Sequence, residues 1–136
     1  MTTGTHVWLR WLLRINGGVM ILATVAVVMP HSAMDRIHHG LGLGQLPDVP
    51  IVGYLTRSLS ALYALLGVTA VYLAADVPRY RPLIRFWSAA TIVFGLTLLG
   101  IDLAVQLPAW WALGEGGCVT AMGAVLLWLS RATGET

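Results

Sequence analysis

The chain contains no lysine, a single cysteine and few charges of either sign. Its eight basic residues are all arginines, scattered from Arg10 to Arg131, so there is no basic patch to meet a nucleic-acid backbone. Nucleic acid is excluded as a partner. Cys118 has no second thiol for an internal disulfide or a metal cluster, which removes thiol-pair redox chemistry. A glycine-rich phosphate loop, zinc-ligand spacing and a nucleophile elbow are also missing, and the glycines of "GLGLG" lack the strand and helix that dinucleotide binding requires. Histidines at matched depth on two helices, as a haem needs, are absent. No cofactor or metal is expected, and no motif supports enzyme chemistry.

What the chain does have is apolar length. At 136 residues it fits one domain, but 57% hydrophobic and 10% charged residues, with a mean hydropathy of +0.78, leave too little polar surface to coat a soluble globule. Four apolar runs, 7–29, 51–75, 83–107 and 110–130, each reach the roughly 20 residues that a bilayer core demands. The expectation is an all-α integral membrane four-helix bundle forming a single transmembrane domain over 1–136, with the lipid bilayer as its first partner. The start of the chain resembles a signal peptide cleaved after Ala33. His31 fits poorly at the third position before such a cut, so the first run is read as a retained helix.

Arginine placement gives an orientation. Arg10 and Arg14 flank the start of the first run, Arg79, Arg81 and Arg85 lie between the second and third, and Arg131 ends the fourth; Arg36 and Arg57, near the first connection, are outnumbered. Both termini are expected in the cytoplasm, in a multi-pass protein of the bacterial inner membrane. Trp8, Trp11, Trp110, Trp111 and Trp128 fall at run ends, the depth that indole rings favour.

The outer connection 30–50, "PHSAMDRIHHGLGLGQLPDVP", is too long for a turn and too polar for a span. Ser32 and Asp35 form a capping box for a short helix from Ala33 to His39, Gly40 is placed to end it in a left-handed conformation, and Pro50 opens the next helix.

Charges inside the apolar runs are the candidate site. At about 1.5 Å per residue, Arg57 and Asp102 both lie about 8 to 10 Å below the outer ends, Glu115 reaches a similar level, and Gln106 stands one turn above Asp102. An unpaired charge at a helix centre costs about 2.5 to 3.5 kcal/mol, so such groups face the interior and pair. Arg57 shares a face with Ser60, Ala61 and Ala64; Asp102 with Thr91, Gly95 and Gln106; Glu115 with Cys118 and Met122, beside a small-residue row of Gly116, Thr120 and Ala124. The first reading is a structural ion pair between Arg57 and Asp102, and the sharper one an outward-facing polar pocket for an anion, a proton or a headgroup. His38 and His39 diverge by about 100° on a helix, too far apart to share a metal, and are read as surface or pocket-rim residues, with Trp110 and Trp111 at the mouth. Arg10, Arg14, Arg79, Arg81 and Arg85 are read as snorkelling to inner phosphates, and Asn16-Gly17-Gly18 as a helix-packing contact.

The four-span layout, the long outer loop with "HHGLGLG", the stretch "RSLSALYALLG" and the turn "GIDLAVQLPAWWALGEG" together resemble the DoxX-like group of small four-helix bacterial membrane proteins. The resemblance covers most of the chain. It implies association with other membrane or redox proteins and carries over no catalytic residues. Three functions remain open: a noncatalytic subunit or accessory partner of a membrane complex, a small homo-oligomeric transporter or channel lined by Arg57, Asp102 and Glu115, and an enzyme acting on a lipid or quinone. Below the charged level "LLGVTAVYL" and "ATIVFGL" carry no acid to continue a path, which favours the first.

Overall fold

The computed structural model describes residues 2–132, which are all-α with no strand among them. Seven α-helices follow one another: α1 (Thr2–Ile21), α2 (Thr24–Val28), α3 (His31–Gly40), α4 (Pro50–Leu73), α5 (Val77–Ala104), α6 (Ala109–Ala112) and, after a π-helical turn at Leu113–Gly117, α7 (Cys118–Ala132). Four helical stretches, Gly4–Val28, Pro50–Leu73, Val77–Ala104 and Ala109–Ala132, are long and apolar enough to cross a membrane, as expected. The chain forms two compact units, residues 14–72 and residues 1–13 with 73–136.

Boundaries depart from expectation where polar side chains intervene. The first run is broken at Leu22-Ala23. There Val25 and Ala26 donate three residues back, to Leu22 and Ala23, at 3.0 Å each, and the freed Ile21 carbonyl is taken by the Thr24 hydroxyl at 2.7 Å. The third helix starts at Val77, six residues before the expected 83. Asp76 caps it by accepting from the Arg79 N–H at 3.2 Å, and Pro82 costs only the one bond to Pro78 that its absent N–H would have made. Arg79, Arg81 and Arg85 therefore stand on α5 itself, not in a turn. Pro50 opens α4 as expected, where a missing N–H has no helical partner to lose.

The short helix expected in the 30–50 connection exists, but not for the expected reason. It runs His31–Gly40 with Pro30 as N-cap and no side-chain cap, because the Asp35 carboxylate accepts from the Leu46 N–H at 2.7 Å. Gly40 is helical. The left-handed residue is Gly42 (φ 74°), whose N–H reaches the His39 carbonyl at 2.9 Å while Leu43 N–H reaches that of His38 at 3.2 Å, a Schellman ending. α5 ends in the same motif: Leu107 N–H bonds the Asp102 carbonyl at 2.9 Å, Gln106 N–H that of Leu103 at 3.2 Å, and the left-handed residue is Gln106 (φ 58°). Gln106 is thus not one helical turn above Asp102 but past the helix end, exposed.

The core of the second unit gathers Leu9 and Leu13 of α1, Leu73, Ala74, Val77 and Ile84, and Leu126 and Leu129 of α7, with Tyr80, Trp87 and Met122 packed against it. Further along α5, glycines bring backbones together. A methyl built at Gly95 would lie 2.5 Å from the Thr120 nitrogen, one at Gly116 2.6 Å from the Leu99 nitrogen, and one at Gly123 2.8 Å from the Ile92 nitrogen. Gly116 and Thr120 of the expected small-residue row are in this seam. Ala124 is exposed and Gly123 takes its place, because at about 3.6 residues per turn position 123 stays on the face of 116 and 120 while 124 turns away from it. In residues 14–72 the close approach is reciprocal: a methyl on Gly17 would meet the Gly67 carbonyl oxygen at 2.6 Å, and one on Gly67 that of Gly17 at 2.6 Å.

Candidate functional site

Arg57 sits on α4 at the level of the C-terminal end of α2. Its Nε donates to the Val27 carbonyl at 3.2 Å, one Nη to that of Met29 at 3.2 Å and the other to Gly53 at 3.5 Å. Pro30 supplies no N–H to its neighbours, so the final carbonyls of α2 need another donor. A guanidinium there also complements the negative end of the helix. The sequence identified Arg57 as buried but gave no sign that backbone oxygens would receive it.

Asp102 is 4% exposed, and its Oδ2 has no hydrogen-bond partner among the described residues. The antiparallel register of the seam pairs 92 with 123, 95 with 120 and 99 with 116; continued by one turn, it sets Asp102 against Ala112 and the start of the π-helical turn. Ala112 is likewise buried. Carboxylate and turn thus share one level of the unit.

The π-helical turn itself builds a hollow. Cys118 N–H reaches back five residues to the Leu113 carbonyl, and Glu115, one helical turn after Trp111, accepts from the indole Nε1 on its Oε2 at 2.8 Å. Trp110 stands edge-on to Trp111, with ring centroids 5.6 Å apart and planes at 81°. Together with Gly114 they line an open hollow of about 340 Å³. Its walls are aromatic and it holds a single acid, so it suits an apolar or cationic group rather than an anion. Trp110, Trp111 and Glu115 are therefore brought together; Gln106 stands outside α5 in its left-handed position.

The two histidines separate. His38 Nδ1 is 3.0 Å from the Gly44 carbonyl and His39 is exposed. With His31, which reaches the Pro47 carbonyl at 3.4 Å and the Asp48 carboxylate at 3.9 Å, and with Asp35, His38 forms one stripe of α3 that ties down the returning segment 41–49. That stripe of positions 31, 35 and 38 was readable as helical spacing, but its partners were not.

Among the described residues no group of three or more His, Cys, Asp or Glu side chains is arranged to hold a metal ion. No family model matches the chain, and neither a curated protein nor a solved structure gives a match.

Proposed function

We propose that the chain is a four-span protein of the bacterial inner membrane, of the DoxX-like kind, that works without catalysis of its own as a subunit or accessory partner of a membrane complex. The observation that carries this reading is where the charges inside the apolar helices go. Arg57 is bound to three carbonyls, Arg85 donates twice to the Ser130 carbonyl and Glu115 accepts from Trp111. Groups held in this way stabilise helix ends and turns rather than standing ready for a reaction. α4 supports it from outside: Ile51, Leu55, Leu59, Leu62, Leu65 and Val68 are all exposed, a surface for lipid or for another membrane helix.

Native mass spectrometry after mild extraction tests the reading, with a stoichiometric second polypeptide expected. A chain recovered only as itself would overturn it. Orientation is tested by cysteines placed at Gly4 and Gln45 in a background lacking Cys118. An impermeant thiol reagent applied to intact cells should reach Gln45 and not Gly4.

One observation favours a second reading, a small oligomeric transporter with an outward-facing polar pocket. The Asp102 oxygen without a partner is a group that a proton or cation would satisfy. Reconstituted vesicles would then show ion flux that Asp102→Asn abolishes. Flux equal to that of empty vesicles would remove the transport reading.

A further inference from the structure

Four other buried polar atoms without a partner among the described residues, His6 Nδ1, Arg10 Nε, Arg81 Nε and Trp87 Nε1, belong to the end of the second unit opposite the hollow. Arg81 lies on the α5 stripe Val77-Arg81-Ile84-Ser88, whose other three members are fully buried. His6 and Arg10 lie on the matching stripe of α1, which continues to Leu13 and is flanked by Leu9, both fully buried. Leu9, Leu13, Val77 and Ile84 belong to one core cluster, with Trp87 packed against it, so the half-buried Arg10 and Arg81 border the same core.

Among the described residues acids are scarce there. Arg85 is already committed to the Ser130 carbonyl, and Asp76, exposed, accepts from the Arg79 N–H. Like charges partly withdrawn from solvent repel each other, and a buried charged donor such as each Nε, left without an acceptor, is costly. The positive end of the 28-residue α5 lies at the same level and favours negative charge as well.

We infer that this end of the molecule binds a phosphate-bearing anion between α1 and α5, held by Arg10 and Arg81 with His6 and the Trp87 indole as further donors. In a membrane the ligand is the headgroup of an anionic lipid. Guanidinium forks match the oxygens of a phosphate, and basic pockets between helices are a recurrent way of holding such headgroups. The inference is independent of the Trp110-Trp111-Glu115 hollow.

The experiment follows thermal unfolding of the full-length chain in neutral detergent micelles, with added phosphatidylglycerol, phosphatidylcholine of the same acyl chains, or millimolar inorganic phosphate. Phosphatidylglycerol should raise Tm and phosphatidylcholine should not. Arg10→Gln and Arg81→Gln should each weaken the response about tenfold, the loss expected of one charge-assisted contact. Arg79→Gln removes the same charge from an exposed guanidinium that lies over the Tyr80 ring, 5.6 Å from its centroid, and should leave the response intact. A rise with inorganic phosphate that displaces the lipid would identify a soluble phosphate as the source, through the same contacts. A wild-type chain that responds equally to both lipids and not to phosphate overturns the inference, whether or not the variants fold. So does an Arg79→Gln variant that loses as much as the other two, since net charge alone would then explain the effect.

Discussion

The two units solve the same packing problem with different numbers of residues. In residues 14–72 one reciprocal pair of glycines, Gly17 against Gly67, with Met20, Ile21 and Val71 beside it, sets how closely α1 and α4 approach. In the other unit three glycines, Gly95, Gly116 and Gly123, keep α5 against the last helix over several turns. An approach carried by one glycine pair has little reserve, because a methyl on either glycine runs into a main-chain carbonyl that cannot rotate away. A longer seam can give at one place and hold at the others, but its glycines must stay in phase. The i, i+4, i+7 spacing of positions 116, 120 and 123 supplies that phase.

The largest predicted effect separates these two cases. Gly67→Ala should destabilise the chain by about 3 kcal/mol, the upper range for overpacking, and Gly95→Ala by about 1 to 2 kcal/mol. Gly18→Ala and Gly100→Ala are internal controls: nothing lies within 4 Å of an added methyl at either. Each should gain about 0.5 to 1 kcal/mol from helix propensity. Reversible unfolding in mixed micelles measures all four. If Gly95→Ala costs more than Gly67→Ala, the distinction between a crossing on one glycine pair and a seam with three glycines is wrong.

A smaller effect tests the π-helical turn at the end of the longer seam. Glu115→Ala removes the acceptor of the Trp111 indole and should cost about 1.5 kcal/mol, with a shift in tryptophan emission. Glu115→Gln keeps an acceptor oxygen and should recover most of that loss. Equal losses would mean that the negative charge itself matters at this position, which favours the outer-pocket reading over the structural one.

The spans were legible because apolar length survives any local irregularity. What escaped the sequence was decided by partners distant in the chain or by single polar side chains. Asp76-Val-Pro is a helix start in hindsight, but Pro82 drew the boundary to itself. Ser32 and Asp35 have capping spacing, yet Asp35 finds the Leu46 N–H eleven residues away. Gly17 and Gly18 are equivalent as letters, and only the opposing helix shows that Gly17 is in contact and Gly18 is not. Asp102 is buried and Arg57 and Glu115 are half-buried, and the Trp111-Glu115 spacing was visible. That Arg57 would be received by carbonyls was not, since any carbonyl looks alike in a sequence.

Helix endings extend the comparison between the units. α3 and α5 close with the same pair of hydrogen bonds, one around Gly42 and the other around Gln106. Gly42→Ala forces a β-carbon into the left-handed region and should cost about 1 kcal/mol, since nothing else lies near the position. The loss should appear as faster amide exchange in α3 and segment 41–49 rather than as a change in the spans.

The smallest effect is the reverse substitution at the other ending. Gln106 bears the left-handed conformation at φ 58° without the freedom of glycine, a strain of about 1 kcal/mol. Glycine there relieves it but loses more freedom on folding, so Gln106→Gly should stabilise the chain by only about 0.5 kcal/mol. Gln106→Val, with a branched β-carbon that tolerates positive φ least, should lose more than 1 kcal/mol by the same reasoning. Paired melts of the three side chains under one condition resolve the order glycine, glutamine, valine. Were glycine to come out less stable than glutamine, the exposed Gln106 amide would have to hold something that compensates its backbone strain. That outcome would return Gln106 to the polar outer site in which the sequence first placed it.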